Sequence, residues 1–506
     1  MRLPDNPVLA GCYPDPSICR VGEDYYLVTS TFEYFPGLPV FHSTDLVEWT
    51  QIGHAFDRTG QLDLSTVPSS GGLFAPTIRH HRGTWYLVCT LVHGTGRRGN
   101  FVLTASDPAG PWSDPVWLDE VDGIDPSLFF DDDDRLWLCG TRLSATPLWT
   151  DQTDVWLREL DPVTFATIGA ETLLWHGALD GAVWAEGPHL YKRNGWYYLL
   201  ASEGGTEFNH ALSVARSREI SGPYIGHRAN PVLTHRALGH RHPVTAVGHA
   251  DLAETPDGEW FAVLLASRLH GDGYHAQLGR ETFMVDVEWE DDWPVFAPRV
   301  GQVRVTAETS APARRMPSRF EWTQVRTGDP DFAVVDPVAG TVSLRPSPAP
   351  LTDATTPAFL GVRQRHPVAA FRATLDPSLL DAGTPGTRAG LAVRQSEASH
   401  LQLLVASGEQ STAVVVRTDG GITVELASAA VPNGPVTLEI DAHLPDYRLW
   451  VETGGTRLLL ASVDGRFLSS QVAGGFLGVW LGVIATSGSP RPVEFTEIGY
   501  GGATAS

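Results

Sequence analysis

Apolar and polar residues alternate in short runs along the N-terminal part of the chain, and the spacing typical of amphipathic helices is scarce. Several runs share one template: a short turn, an alternating stretch, a polar turn with Gly or Asp, and an aromatic-rich strand. They read YPDPSICRVGEDYYLV, FAPTIRHHRGTWYLV, IDPSLFFDDDDRLWLC, AEGPHLYKRNGWYYLL and GHADLAETPDGEWFAV. Each has the signature of a β-hairpin, in which a tight polar turn joins two strands.

The repeats begin about 50 to 60 residues apart, a spacing typical of propeller blades with four short strands each. We therefore predict a β-propeller over residues 1–304. The next stretch is rich in Ala, Pro, Ser and Thr, so residues 305–318 are predicted to be a linker. Alternating segments separated by TDGG and TGG turns predict an antiparallel β-sandwich over residues 319–506. The whole chain is predicted to be all-β.

One position of the repeat carries most of the candidate chemistry. It is the residue just before the Pro of the opening turn, which a propeller places at the mouth of its central channel. In chain order this position holds Asp15, Ala75, Asp125, Gly187 and His249, and Glu186 stands beside the glycine. We expect three carboxylates and an imidazole to meet in one axial pocket.

The composition of the chain limits the classes of molecule that it is expected to bind. The chain has 506 residues, 42% hydrophobic and 19% charged, which is typical of a globular protein. Its net charge of -23 argues against nucleic acid or an anionic membrane as partner and suits a neutral ligand such as a sugar. No apolar stretch is long enough to span a bilayer, and the start lacks the pattern of a secretory signal. The four cysteines lack metal-ligand spacing and are expected to be reduced thiols, so we expect a cytoplasmic protein.

Carboxylates around a pocket suit hydrolysis of a glycosidic bond, which needs one protonated and one ionised carboxyl group. Glu186 is the candidate acid, because Trp184 could desolvate it and raise its pKa. Asp15 is the candidate base, held by prolines on both sides. Asp125 would tune the pKa of the acid, and Arg280 would pair with a carboxylate or bind sugar hydroxyls.

The DDDD run at 131–134 lacks the spacing of a calcium loop, so a solvated hairpin turn is predicted.

Long ordered motifs support this interpretation through a resemblance. NPVLAGCYPDPSIC, GGLFAPTIR, GIDPSLFFDDDDRLWL, AEGPHLYKRNGWYYLLASEGGTEFNHALSVARS, GHADL and LGRETF resemble glycoside hydrolase family 43. The closest resemblance is to its β-xylosidase branch with a C-terminal sandwich domain. It implies a five-bladed propeller, a concanavalin-like sandwich and an inverting single-displacement mechanism. It also implies roles for the candidate residues: Asp15 as general base, Asp125 as pKa modulator, Glu186 as general acid, His249 and Arg280 as pocket residues, and Phe32 and Phe74 as a sugar-stacking wall.

Several alternatives stay open at this point. The leading prediction is an exo-acting β-1,4-xylosidase that releases xylose from short xylooligosaccharides. The alternatives are an α-L-arabinofuranosidase, a dual enzyme, and a sugar-binding protein without turnover. Phe476 either belongs to a sandwich loop that closes the pocket or packs in the sandwich core. No cofactor is expected to be required, although the resemblance leaves open a divalent cation such as calcium near His249. The oligomeric state is also left open, and a homo-oligomer is one alternative.

Overall fold

Short strands joined by turns make up nearly all regular structure in the computed structural model of the protein. The structure describes residues 5–306, 310–327, 331–381, 383–384, 386–408 and 410–502. Within these ranges the α-helical content is one turn, Ser470–Ala473, besides three short 3-10 helices at Arg236–Leu238, Pro377–Leu379 and Gly465–Leu468. None of these helices is long or apolar enough to cross a membrane. The prediction of an all-β chain is confirmed.

The N-terminal part folds as a five-bladed propeller, as predicted, with antiparallel strands in chain order in each blade. The first three blades are made as follows: blade 1 from β1 (Ser17–Val21), β2 (Asp24–Val28), β4 (Gly37–Ser43) and β5 (Thr50–Phe56), with β3 (Tyr34–Phe35) leaving the blade; blade 2 from β6 (Gly72–His81), β7 (Thr84–Val92), β8 (Gly99–Ala105) and β9 (Val116–Trp117); blade 3 from β10 (Ile124–Phe130), β11 (Leu136–Leu143), β12 (Thr153–Leu160) and β13 (Thr167–Trp175).

The last two blades follow the same plan. Blade 4 contains β14 (Glu186–Arg193), β15 (Trp196–Glu203), β16 (Ala211–Ser217) and β17 (Ile225–Gly226), with β18 (Leu233–Thr234) also on β16; blade 5 contains β19 (Val244–Glu254), β20 (Trp260–Arg268), β21 (Arg280–Glu290) and β22 (Trp293–Phe296). The innermost strands β1, β6, β10, β14 and β19 contact one another in a closed ring. They therefore line one central channel.

The N-terminal segment ties blade 5 to blade 1. Leu9 and Thr282 exchange two backbone hydrogen bonds of 3.2 Å, which adds the segment to the edge of β21. Asn6 reinforces the contact, since its side-chain amide donates to the carbonyl of Met284 and accepts from its N–H. The chain then enters β1, so the segment closes the ring of blades.

The C-terminal part is a concanavalin-like sandwich of two antiparallel sheets, as predicted. The first sheet has the order β3–β23–β26–β35–β28–β29–β30–β31 and the second the order β24–β25–β36–β27–β32–β33–β34. The strands are β23 (Thr323–Val325), β24 (Ala333–Asp336), β25 (Thr341–Leu344), β26 (Phe359–Arg363), β27 (Val368–Leu375), β28 (Arg388–Arg394), β29 (His400–Ala406), β30 (Ser411–Asp419), β31 (Ile422–Val431), β32 (Val436–His443), β33 (Asp446–Thr453), β34 (Thr456–Asp464), β35 (Trp480–Thr486) and β36 (Val493–Gly501). Aliphatic side chains from both inner faces form its core.

The two halves share the first of these sheets. Strand β3 comes from the propeller but pairs with β23 of the sandwich, and the Tyr34 ring stacks on Trp480 at 3.9 Å. The predicted linker, 305–318, lies between the halves. Its described part bridges to the sandwich at Ser310 and Arg315. The predicted domain limits themselves stay predictions.

The acidic run at 131–134 forms the predicted turn between β10 and β11, but its first residue is not solvated. Asp131 is buried and accepts hydrogen bonds from Lys192 (2.6 Å) and Tyr197 (2.7 Å) of blade 4. The repeat register did not reveal this contact, because it joins two different blades. The turn therefore links blade 3 to blade 4.

Candidate active site

The repeated position found in the sequence has one unusual backbone conformation in every blade. The φ angles there are 55° for Asp15, 36° for Ala75, 54° for Asp125, 57° for Gly187 and 49° for His249. For a residue with a side chain this left-handed conformation costs about 1 kcal/mol or more, and such strain clusters at functional sites. In blades 2 to 5 it coincides with a register shift in the innermost hairpin, a bulge that re-aims side chains. Of these residues, Asp15, Asp125 and His249 line the pocket at the channel mouth.

A cavity of about 490 Å³ opens at this mouth. Its lining contains every residue predicted for the site: Asp15, Asp125, Glu186, Phe32, Phe74, His249, Arg280 and Phe476. The structure thus brings together carboxylates from blades 1, 3 and 4, an imidazole and a guanidinium from blade 5, and an aromatic ring from the sandwich. Sequence reasoning missed Ile124, the first residue of the third repeat, and five lining residues outside the repeated template: Val92, His93, Gly205, Thr206 and Glu207.

Asp15 is a buried carboxylate with both oxygens bound. Arg280 donates to Oδ1 at 2.9 Å, and the Ser30 hydroxyl donates to Oδ2 at 2.6 Å. Burial alone would raise the pKa of Asp15, but the charge of Arg280, with His249 and the Ser30 hydrogen bond, holds the pKa below its usual value of 3.8. Asp15 is therefore ionised at neutral pH, as a general base must be.

Asp125 is buried next to the peptide that carries the candidate acid. The Gly187 N–H donates to its Oδ2 at 3.1 Å. Burial raises the pKa of Asp125, and the negative charge of Asp15 adds to this, while His249 acts in the opposite direction. The Asp125 carboxylate is thus held against the residue that follows Glu186.

Glu186 is the carboxyl group that the pocket keeps protonated most strongly. Burial raises its pKa well above 4.5, and the negative charges of Asp125 and Asp15 raise it further. Sequence reasoning expected Trp184 to desolvate Glu186. Trp184 does line the cavity, but the two neighbouring carboxylates also contribute. The pocket therefore separates the pKa values of Asp15 and Glu186, as acid–base catalysis requires.

Gly187 explains why the acid stands one position before the repeated slot in blade 4. A Cβ atom on Gly187 would lie 2.9 Å from Cε1 of His249, so the imidazole ring occupies the space of a side chain. His249 in turn lies 3.8 Å from Asp15, measured from Nδ1 to Oδ1. A glycine in this slot therefore lets His249 reach the pocket.

Three phenylalanines form one wall. Phe32 and Phe74 meet edge to face at 5.4 Å, and Phe476 of the sandwich lies 6.1 Å from Phe32 and 5.8 Å from Phe74. Phe32 is only 1% exposed, so it offers less surface to a ligand than predicted, whereas Phe476 is 37% exposed. The Ser70 hydroxyl accepts from the Phe476 N–H at 2.9 Å. Phe476 therefore belongs to a loop that reaches the pocket and is not part of the sandwich core.

The residues around His249 do not fit a divalent cation. The Asp15 oxygen nearest to His249 already accepts a hydrogen bond from Arg280. Among the described residues, no group of three or more His, Cys, Asp or Glu side chains is placed to hold a metal ion. No step of the reaction is therefore assigned to a metal at this position.

A guanidinium group fills the channel below the pocket. Arg79 of β6 forms a two-pronged pair with Asp251 of β19, at 2.9 and 3.1 Å. It also donates to Ser17 at 3.2 Å and to Nδ1 of His189 at 3.1 Å. Four blades thus meet on one side chain inside the channel. The repeat register carries a signal for this contact, because Arg79 and Asp251 stand four and two residues after the slot, on the channel side of their strands.

Comparisons with known proteins agree with this geometry. The model of glycosyl hydrolases family 43 matches residues 4–294, and that of the beta xylosidase C-terminal concanavalin A-like domain matches residues 317–500. The chain is 38% identical to a xylosidase/arabinosidase of Butyrivibrio fibrisolvens over 99% of both chains. It is 37% identical to a non-reducing end alpha-L-arabinofuranosidase of Bacteroides ovatus, over 97% of this chain and 93% of the relative.

Solved structures show the same two-part architecture. The crystal structure of xylan beta-1,4-xylosidase from Bacillus halodurans superposes with a TM-score of 0.88 at 30% identity, over 98% of this chain and 99% of the other. This chain therefore combines the propeller, the sandwich, and Asp15 and Glu186 in one pocket, and its sequence matches a family-43 relative over 99% of its length. The chain belongs to glycosyl hydrolases family 43 and is a glycoside hydrolase.

Proposed function

We propose that this glycoside hydrolase is an exo-acting β-1,4-xylosidase that inverts the anomeric configuration and releases xylose from short xylooligosaccharides. The observation that carries the proposal is the opposite protonation of two carboxyl groups in one cavity: Asp15 held ionised by Arg280, and Glu186 held protonated by burial and by its acidic neighbours. An ionised and a protonated carboxyl group are the pair that glycoside hydrolysis needs.

In the proposed reaction Asp15 takes a proton from water as the water oxygen attacks the anomeric carbon. The glycosidic C–O bond breaks on the opposite face of the sugar, and Glu186 gives its proton to the leaving oxygen. Asp15 ends protonated and Glu186 ionised, so protons balance once both exchange with solvent. Attack from the opposite face turns a β-xyloside into α-xylose.

The shape of the cavity supports cleavage at a chain end. Arg79 joins the innermost strands of four blades across the channel, and Phe476 reaches the pocket from the sandwich side. A cavity of about 490 Å³ accommodates one or two pentose units, whereas an endo-acting enzyme needs an open cleft. We therefore propose that the non-reducing end of a short oligosaccharide enters this pocket.

An α-L-arabinofuranosidase activity is the second candidate, because two relatives of nearly the full length are described as xylosidase/arabinosidase and as alpha-L-arabinofuranosidase. Both sugars are pentoses, so one pocket of this size accommodates either. A dual activity would use Asp15 and Glu186 in the same roles. The two candidates differ only in the relative rates on the two pentosides.

Proton NMR of the first product formed from xylobiose tests the proposal. We expect α-xylose to appear before mutarotation, and rates on paired aryl glycosides to favour the β-xyloside. Initial β-xylose would overturn inversion, and a higher rate on the α-L-arabinofuranoside would favour the second candidate. Release of long internal fragments from xylan would overturn the exo assignment.

A further inference from the structure

A buried histidine faces the candidate acid without belonging to the repeated template. His210 precedes β16 and is fully buried. Its Nε2 atom lies 3.8 Å from Oε1 of Glu186 and has no hydrogen-bond partner. Its other nitrogen, Nδ1, lies 3.1 Å from the carbonyl oxygen of Ala246. An unpartnered nitrogen in the interior, aimed at a catalytic carboxyl group, calls for an explanation.

The neighbour on Nδ1 determines the tautomer of the ring. A backbone carbonyl only accepts hydrogen bonds, so Nδ1 must carry the proton that Ala246 binds. Burial lowers the pKa of His210 to about 3, so the ring is neutral at neutral pH. In neutral imidazole the second nitrogen has a lone pair and no proton. Nε2 therefore presents an acceptor towards Glu186.

The backbone makes room for this ring. A Cβ atom on Gly248 would lie 2.4 Å from Cε1 of His210, so any other residue there would displace the imidazole. Gly248 lies next to His249, in the bulged part of β19 that shapes the pocket. The position of His210 is thus set by the same strand that brings His249 to the channel mouth.

We propose that His210 is a positioning residue that offers Glu186 a hydrogen-bond acceptor and no donor, and so holds the proton on the acid until the leaving oxygen takes it. The proposal rests on the role of Glu186 proposed above. A protonated Glu186 can donate to Nε2 once the two atoms approach by about 1 Å, to hydrogen-bond distance. An ionised Glu186 would face a lone pair instead, an unfavourable contact. The other charged or titratable groups around this pair are Asp15, Asp125, Arg280 and His249.

His210→Phe tests the proposal because it keeps a ring of similar size, and hence the burial of Glu186, while it removes the acceptor. The high-pH limb of kcat/KM on xylobiose should move down by roughly one pH unit. Hydrolysis of nitrophenyl β-xyloside should fall less, since a good leaving group needs little proton donation. The proposal would be overturned if the high-pH limb of kcat/KM did not move, or if the rates on xylobiose and on nitrophenyl β-xyloside fell equally.

His235→Phe is the matched control. His235 is also buried, its Nδ1 lies 2.9 Å from the carbonyl of Val244, and its Nε2 accepts from the N–H of Val303 at 2.9 Å. It does not line the cavity. The control therefore loses the same kind of hydrogen bond, and we expect lower stability with an unchanged pH profile. A shift of the limb in the control would assign the effect to general destabilisation and overturn the proposal.

Nitrogen NMR of histidine-labelled protein gives a readout independent of the variant's folding. We expect a proton on Nδ1 of His210 between pH 5 and 8, and an Nε2 resonance that moves as Glu186 titrates. In Glu186→Gln the amide donates at every pH, so the Nε2 resonance should stay fixed. A proton on Nε2, or no response to Glu186, would overturn the proposal. If Glu186→Ala still cleaved xylobiose, the proposed function would fail while this measurement kept its meaning.

Discussion

The N–H of Gly187 donates a hydrogen bond of 3.1 Å to Oδ2 of Asp125, so a carboxylate of blade 3 is tied to the peptide that follows Glu186 of blade 4. Asp125 reaches Glu186 through charge as well, because its negative charge raises the pKa of Glu186. Asp125 thus influences both the position and the protonation of Glu186.

Asp125→Asn should therefore move the pH profile in a defined direction. In the proposed mechanism activity requires ionised Asp15 and protonated Glu186. The lowered pKa of Asp15 puts the rising limb below pH 3.8, and the raised pKa of Glu186 puts the falling limb well above pH 4.5. Without the charge of Asp125 the pKa of Glu186 falls, so the falling limb should move down by roughly one unit. The limb is measured from kcat/KM on xylobiose between pH 3 and 9. A move to higher pH would contradict the assigned role.

Glu186→Ala and Asp15→Ala should differ in their dependence on the leaving group. Loss of the acid should lower kcat on xylobiose by about 10²–10⁴-fold. Rates on nitrophenyl β-xyloside should fall far less, because its leaving oxygen needs no proton. Asp15→Ala should lose both activities, since water must be activated in either case. Steady-state rates of the two variants on both substrates check this, and the opposite pattern would exchange the two roles.

Arg79→Met should destabilise the propeller by about 3–5 kcal/mol, because it leaves the buried carboxylate of Asp251 without its partner. Denaturant titration measures the loss. Arg82→Met is the matched control three residues away: Arg82 is 72% exposed and pairs with Asp134 on the surface. Such a pair contributes at most about 1 kcal/mol. Equal losses in the two variants would contradict the role of Arg79 in the channel.

Dialysis against a chelator should leave activity unchanged. The charge of Asp251 is already balanced by Arg79, and the oxygen of Asp15 that faces His249 is bound to Arg280. We therefore expect the same kcat on xylobiose before and after EDTA treatment, and no increase when calcium is added back. Restoration of activity by calcium alone would show that the pocket rearranges around an ion.

Phe476→Ala should weaken substrate binding more than turnover. The ring lies on the pocket wall and is 37% exposed, so a sugar that packs on it buries apolar surface. We expect KM to rise roughly tenfold while kcat changes little. Val472→Ala is the control in the neighbouring helical turn, where the side chain is 54% exposed and lies outside the pocket lining. A normal KM in Phe476→Ala would place the sugar elsewhere.

Sequence reasoning predicted the repeated part of this site and missed what lies between repeats. Asp15, Asp125 and His249 were found because each blade repeats one backbone conformation, so register alone locates their side chains. His210 and Ser30 lie outside the quoted template, so its register did not locate them, although each faces a carboxyl group of its own blade. Strand β3 was missed for a related reason: two residues are too few for a period-2 pattern, and only the partner strand β23 makes them a strand.

The sharing of β3 bears on how this enzyme can be engineered. Tyr34 is buried against Trp480, and the neighbouring Glu33 is buried in a pair with Arg394 of the sandwich, at 3.1 Å. Excision of the propeller at the linker would leave that carboxylate facing solvent and would strip the support behind Phe32. The propeller of this chain is therefore not a transferable module, and a chimaera has to take both halves together.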